Sequence, residues 1–229
     1  MKGIGRGRGA AAGLLALVLA VPCAGRAARI GVDPGRFSMA YLRSDQTDWA
    51  WAACMEQILR YNGLVIKQEE IARRVYGTNP DGSTRTNSVE VVAGPGKQDI
   101  ITICMKKWTV DDNGQAFTAA PVYWQGAPSA QVLQAELSAQ RPMLAMLRLP
   151  ENEQYRASAD SVSMYIVIID AGDYAPEPDG TPKFNSVEIR NPTATRRNPQ
   201  DAGFVTLTPL EFKTRVIGYW TVRVNKGKK

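Results

Sequence analysis

The sequence predicts an α+β protein, with an N-terminal helical lobe packed on a C-terminal antiparallel sheet. The chain has 229 residues, of which 44% are hydrophobic, which is enough to bury one substantial core. Apolar residues recur at helical spacing in the first two thirds of the chain. The last third holds apolar, β-branched runs between turn-rich segments. Because no internal repeat or long linker divides the sequence, we expect a single domain.

The most clearly marked helix follows Asp48 and ends at Asn62 and Gly63, with apolar residues at helical spacing between them. Two further helices are predicted over residues 68–75 and 129–139, on the same pattern.

Residues 99–108 suit either a helix or a strand, because their isoleucines fit both patterns. Residues 171–182 hold three prolines and two glycines and are predicted to be a loop. Strands are predicted over residues 88–92, 143–147, 163–170, 186–190 and 219–224.

Residues 1–27 are typical of an export signal, since basic residues precede a short apolar run over residues 10–21. That run is too short to span a bilayer. We expect cleavage after Ala27, and therefore a secreted or periplasmic protein. Lipid attachment at Cys23 is an alternative, which the preceding Pro22 disfavours.

Removal of the signal changes the charge of the protein. The 28 basic and 22 acidic residues become 24 and 22, a net charge of about +2, because four basic residues leave with the signal. Such a small charge does not indicate nucleic-acid binding. We expect a domain over residues 28–224 and a basic tail over residues 225–229. No motif indicates a cofactor or a metal site.

One segment, QTDWAWAACME at residues 46–56, carries a family resemblance. It resembles the nucleophile helix of bacterial papain-like cysteine peptidases of the leader-peptidase and effector type. Their signature is Trp-Cys-Trp-Ala-Ala, preceded by a glutamine. The resemblance implies the papain-like fold, with a long central helix packed on the sheet, and it places the nucleophile position at Ala50.

Two later segments match the same family in the expected order. Residues 163–169 resemble the strand that normally begins Gly-His and carries the catalytic base. Met164 occupies the histidine position, with Ser163 or Tyr165 there if the register shifts by one. Asn191, followed by proline, resembles the Asn/Asp-Pro pair that orients the histidine.

The residues that perform the chemistry of this family are missing. Ala50 has a methyl group where the family has a thiol, and the chain contains no histidine at all. Methionine cannot act as a general base in the role of imidazole. The resemblance therefore implies a catalytically degenerate member, a pseudoenzyme with Ala50, Met164 and Asn191 at the former triad positions.

The oxyanion-hole glutamine of the family corresponds to Gln46, in a degenerate position. Gln46 lies four residues before Ala50, whereas the family spaces its glutamine five or six residues away. Asp45 lies at five, and a carboxylate there would repel an oxyanion.

Cys54 and Cys104 remain after removal of the signal. We expect a disulfide between them in an exported protein, the alternative being two buried thiols. Cys54 is also an alternative nucleophile, one helical turn beyond Ala50 but without a base.

Trp49 and Trp51 flank the lost nucleophile, and they are either scaffold or the lining of a surviving groove. We predict that these two residues and Asn191 bind a polypeptide or partner protein through the former substrate cleft. The alternatives are a divergent active cysteine peptidase and a structural or virulence-associated module. We expect neither a nucleic-acid partner nor a stable membrane span.

Overall fold

The computed structural model describes residues 27–45, 49–84, 99–148, 164–192 and 203–227, apart from the side chain of Met164. Helices and strands make up most of these residues. The helices are α1 (Pro34–Ala40), α2 (Ala50–Tyr61), α3 (Gln68–Tyr76), α4 (Ile100–Lys107), α5 (Ala130–Ser138) and α6 (Pro209–Arg215). The strands are β1 (Ala28–Gly31), β2 (Phe117–Gln125), β3 (Met143–Arg148), β4 (Met164–Tyr174), β5 (Phe184–Arg190), β6 (Phe204–Leu207) and β7 (Val216–Lys226).

The strands form one antiparallel sheet in the order β2-β7-β3-β4-β5-β6. The long strand β4 organises its centre. β3 pairs with its first half, β1 pairs with its last four residues, and β5 pairs with residues 168–174. Because β3 and β1 share one edge of β4 end to end, the N-terminal segment of the domain is part of the sheet.

The helix α2 lies at the centre of the helical part. All of its residues except Arg60 are buried, because it packs on β4 and against α1, α3 and α4. Burial of a side chain such as Ile58 or Leu59 stabilises the fold by about 1.5–3 kcal/mol. Gly63 follows the end of the helix, and its φ of 72° allows its N–H to donate to the carbonyl of Arg60 at 2.8 Å.

The predicted α+β class is confirmed, with a long central helix packed on an antiparallel sheet. The segment that suited either a helix or a strand is the helix α4. Asp99 caps it by accepting a hydrogen bond from the N–H of Thr102 at 2.9 Å. The same carboxylate accepts a bond from Trp220 Nε1 at 3.0 Å, which ties α4 to β7.

Five elements were not predicted from the sequence: β1, α1, β2, β6 and α6. β2 contains Pro121 and two alanines, which weaken its strand pattern. Proline is tolerated there because β2 is an edge strand. Since β1 and β2 also belong to the sheet, the sheet is not confined to the C-terminal part of the chain.

Two predicted boundaries are corrected. Residues 171–174 belong to β4 and not to a loop, because β1 and β5 pair with them on both sides. Lys226 pairs with Phe117, so the last strand runs two residues beyond the end predicted at residue 224. The predicted export signal before Ala27 and the strand predicted at residues 88–92 lie outside the described residues.

Candidate functional site

Ala50, the position that the resemblance assigns to the nucleophile, is the first residue of α2. Trp49 occupies the N-cap position, and no side chain of the described residues caps the helix there. Ala50 is buried, with 8% of its surface exposed. The first residue of α2 therefore carries a methyl group.

Two buried glutamines hold residues 41–45, the approach segment that precedes α2 in the chain. Gln57 donates a hydrogen bond to the carbonyl of Leu42 at 2.6 Å. Gln68 donates to the carbonyl of Arg43 at 3.0 Å and accepts from the N–H of Asp45 at 2.9 Å. These bonds fix the path of the chain up to Asp45. Gln46, the predicted oxyanion-hole remnant, lies outside the described residues.

Neither glutamine was predicted from the sequence to position this segment. The available signal was their placement on the buried faces of two amphipathic helices, where Gln57 is 0% and Gln68 3% exposed. A buried polar side chain needs hydrogen-bond partners, and here the partners are backbone groups of the approach to α2.

Asn191 and Pro192 lie against the same approach segment. The hydroxyl of Tyr41 donates to the carbonyl of Asn191 at 3.2 Å, and the N–H of Ser44 donates to the carbonyl of Pro192 at 3.2 Å. The side chain of Asn191 is half-buried. The structure therefore brings the Asn-Pro pair next to the chain that enters α2.

Met164 is the first residue of β4 and pairs with Arg148 of β3. The thiol of Cys54 on α2 donates a hydrogen bond to the carbonyl of Ile166, two residues farther along β4, at 3.4 Å. α2 therefore packs beside the strand that carries position 164. That the side chains of Ala50, Met164 and Asn191 line one cleft stays a prediction.

The two tryptophans beside Ala50 are core residues. Trp49 is 5% and Trp51 4% exposed. Trp51 donates to the hydroxyl of Tyr76 at 3.1 Å and meets its ring edge to face, so it joins α2 to α3. Nε1 of Trp49 is buried without a hydrogen-bond partner in the part of the chain that the structure describes. Both rings are covered, in line with the scaffold interpretation of these residues.

The predicted disulfide between Cys54 and Cys104 is wrong, since both are buried free thiols. Cys54 faces β4, where it bonds the carbonyl of Ile166. Cys104 lies on α4, near enough to Lys107 and Arg74 for their positive charges to act on its thiol. Burial raises the pKa of Cys54 well above its ordinary value, and burial raises that of Cys104 to about 11. Neither sulfur is a thiolate at neutral pH.

Within the described ranges, no group of three or more His, Cys, Asp and Glu side chains lies close enough together to hold a metal ion. In the same part of the chain, no helix has the length and apolar character needed to cross a membrane.

Comparisons with known proteins give one kind of match. No family model matches the chain, and no curated protein matches it. Among solved structures, the chain is similar to the peptidase domain of Streptococcus ComA, a bi-functional ABC transporter involved in a quorum-sensing pathway. The TM-score is 0.44 and the identity 11%, over 82% of this chain and 98% of that one. A likeness of this degree carries no argument about activity.

Proposed function

We propose that the protein is a secreted, catalytically inactive papain-like protein that binds a polypeptide or partner protein through the former substrate cleft. One observation carries this proposal. Ala50 stands at the first residue of the central helix, and the chain contains no histidine. The nucleophile and the base act as one unit in this chemistry, so the loss of both removes the mechanism.

The properties of Cys54 support an inactive protein. Its thiol is fully buried and donates a hydrogen bond to the carbonyl of Ile166. Burial raises its pKa well above the ordinary value, so it lacks the thiolate that a nucleophile requires. These features argue against a divergent peptidase that uses Cys54.

The hydrogen bonds around the approach to α2 support a retained binding surface. Gln68 and Gln57 hold this segment from the helical side, and the Asn191-Pro192 pair holds it from the sheet side. Asp45 is exposed at its end. A fixed segment loses less conformational entropy when a polypeptide binds beside it.

Site-specific photo-crosslinking tests the binding. A variant with a photoreactive amino acid at position 45 is mixed with short, unstructured, fluorescein-labelled peptides and irradiated. The matched control is position 179, also exposed, in the connection that follows the opposite end of β4 from position 164. An extended strand of 11 residues places the two ends of β4 about 30 Å apart.

We expect saturable, light-dependent labelling at position 45 and only background at position 179. Equal labelling at both positions would show nonspecific contact. No labelling at position 45 would overturn the peptide-binding proposal and favour the structural module.

A further inference from the structure

A cavity of about 330 Å³ opens at the C-terminal end of α2, away from the former triad. With a rise of 1.5 Å per residue, the end of α2 at Tyr61 lies about 16 Å along the helix from Ala50. The cavity is lined by Arg36, Ile58, Tyr61, Asn62, Ala139, Gln140, Arg141, Pro142, Val222, Arg223, Val224 and Asn225.

The cavity exists because β7 is longer than its neighbour. β3 begins at Met143, and its first register partner on β7 is Trp220, opposite Leu144. β7 continues to Lys226. In the described part of the sheet, the β3 side of β7 has no strand from Val222 onward. The ends of α2 and α5 border this gap without filling it.

The charged lining of the cavity is entirely basic. Arg36, Arg141 and Arg223 line it, and no aspartate or glutamate does. Arg141 forms an ion pair with Glu136 and donates two hydrogen bonds to its carboxylate, at 2.7 and 2.9 Å. The guanidinium of Arg36 stacks over the ring of Tyr61 at 4.3 Å.

Neither Arg36 nor Arg223 has an ion pair or a guanidinium hydrogen bond among the described residues. Arg223 is moreover exposed. Arg36 and Arg223 therefore line the cavity without a carboxylate partner among the described residues.

Stabilisation of the two helix ends does not account for these arginines. The last carbonyls of α2 accept bonds from Gly63 and Leu64, at 2.8 and 3.0 Å. The last carbonyls of α5 accept bonds from Gln140 and Arg141, at 3.0 and 2.9 Å. Both ends are thus closed by backbone N–H groups, in the pattern of the Schellman motif.

Gln140, at the cavity wall, is the left-handed residue of the Schellman motif that ends α5. Gln140 has a φ of 58°, the one positive value among the described non-glycine residues. Its side chain donates to the carbonyl of Gly31 at 3.0 Å and accepts from the N–H of Asp33 at 2.6 Å. These bonds hold the chain at the cavity wall in place.

We propose that the cavity binds a small phosphate ester. The phosphate would lie between Arg36 and Arg223, because guanidinium groups bind phosphate through paired N–H donors. The apolar part of the ligand would lie against Ile58, Pro142 and Val222. The volume is at the lower end of the range for small-molecule sites, about 300–1,000 Å³. This site is independent of the polypeptide-binding cleft proposed above.

Isothermal titration calorimetry with phenyl phosphate tests the proposal on the unmodified protein, on Arg223→Gln and on Lys107→Gln. Both substitutions remove one exposed positive charge, but Lys107 lies on α4 and does not line the cavity. The guanidinium of Arg223 has no hydrogen-bond or ion-pair partner among the described residues. Its loss should therefore leave the fold intact, which the unfolding temperature checks.

We expect saturable binding that weakens at least about tenfold in Arg223→Gln and stays within about twofold in Lys107→Gln, in line with the energy of a charge-assisted hydrogen bond. Affinity should rise through about pH 6, where the phosphate loses its second proton. Inorganic phosphate should bind more weakly, since it has no apolar part. Absence of saturable binding, or an equal loss in both variants, would overturn the proposal.

Discussion

The thiol of Cys54 donates a hydrogen bond to the carbonyl oxygen of Ile166 at 3.4 Å, and this contact joins the central helix to the strand β4. A sulfur in this position packs as a small apolar group with one polar contact. It is therefore part of the core that holds α2 beside β4. The cysteine that sequence alone offered as a substitute nucleophile serves the scaffold.

Alkylation with mass analysis checks the state of the two cysteines. We expect the unfolded protein without residues 1–27, which include Cys23, to take up two alkyl groups without reductant and the same number with it, because Cys54 and Cys104 are free thiols. Two alkyl groups that appear only after reduction would restore the disulfide prediction.

The reactivity of Cys104 in the native protein should depend strongly on pH. Burial raises its pKa to about 11, so little thiolate exists at neutral pH. Its alkylation rate should rise about tenfold per pH unit below that value, because only the thiolate reacts. A rate that levels off near pH 8.5, the ordinary thiol value, would contradict the raised pKa.

A substitution at Gly203 should disturb the contact between Asn191 and the approach to α2. Gly203 has a φ of 65°, and an added Cβ would overlap the carbonyl oxygen of Asn191 and lie 2.6 Å from the hydroxyl of Tyr41. Gly180 is the matched control, with a φ of 84° and nothing within 4 Å of an added Cβ.

Both alanine variants should lose about 1–2 kcal/mol of unfolding free energy from the left-handed backbone. Gly203→Ala should lose about 1–3 kcal/mol more from overlap. Urea unfolding measures the two losses, and equal losses would show that the Asn191 contact is not tightly packed.

The buried carboxylate of Asp170 should make stability depend on pH. Arg190 donates to Oδ2 of Asp170 at 2.8 Å, while Oδ1 has no hydrogen-bond partner among the described residues. Burial raises the pKa of Asp170, and the charge of Arg190 only partly opposes this. The native state therefore binds the proton more tightly than the unfolded chain. The contribution of Asp170 to stability is fully present below its unfolded pKa and is lost as the pH rises through its native pKa.

Urea unfolding of the unmodified protein and of Asp170→Asn isolates this effect. The unfolding free energy of the unmodified protein, minus that of the variant, should decrease as the pH rises from about 4 towards 7. Carboxylates with lowered pKa values, such as Asp111, act in the opposite direction but are common to both proteins. A difference that grows with pH would show that the ion pair with Arg190 outweighs burial.

The fold was predictable from the sequence where the local signals agreed. Apolar spacing and the stop at Gly63 predict α2, whose bounds in the structure are Ala50–Tyr61. The signals failed for β2, whose strand pattern is weakened by Pro121 and which is recognisable only through its pairing with β7. For α4, the apolar spacing was compatible with a helix or a strand. The structure shows a helix, which Asp99 caps and joins to Trp220 by a hydrogen bond.

The candidate site was predictable only in part. Residue types alone establish the absence of histidine, and the motif places Ala50 at the start of α2. The disulfide prediction failed because sequence does not show which way a helical cysteine faces. The cavity with Arg36 and Arg223 was missed for a similar reason, since residues far apart in the chain meet there through the sheet register.

Restoring the cysteine alone should not restore hydrolysis. In Ala50→Cys, a thiol of ordinary pKa would be only a few per cent ionised at neutral pH, and no imidazole would protonate the leaving amine. The informative variant combines Ala50→Cys with Met164→His. Weak hydrolysis of an unstructured peptide by the double variant alone would support a retained scaffold, whereas activity of Ala50→Cys by itself would contradict the requirement for a base.

The most direct measurement is the hydrolysis of an unstructured fluorogenic peptide by the unmodified protein, beside its Cys54→Ala variant. The double loss of nucleophile and base predicts that neither protein releases fluorophore faster than buffer. Cleavage by the unmodified protein that disappears in Cys54→Ala would contradict the inactive assignment, because it would show that the buried thiol acts as a nucleophile.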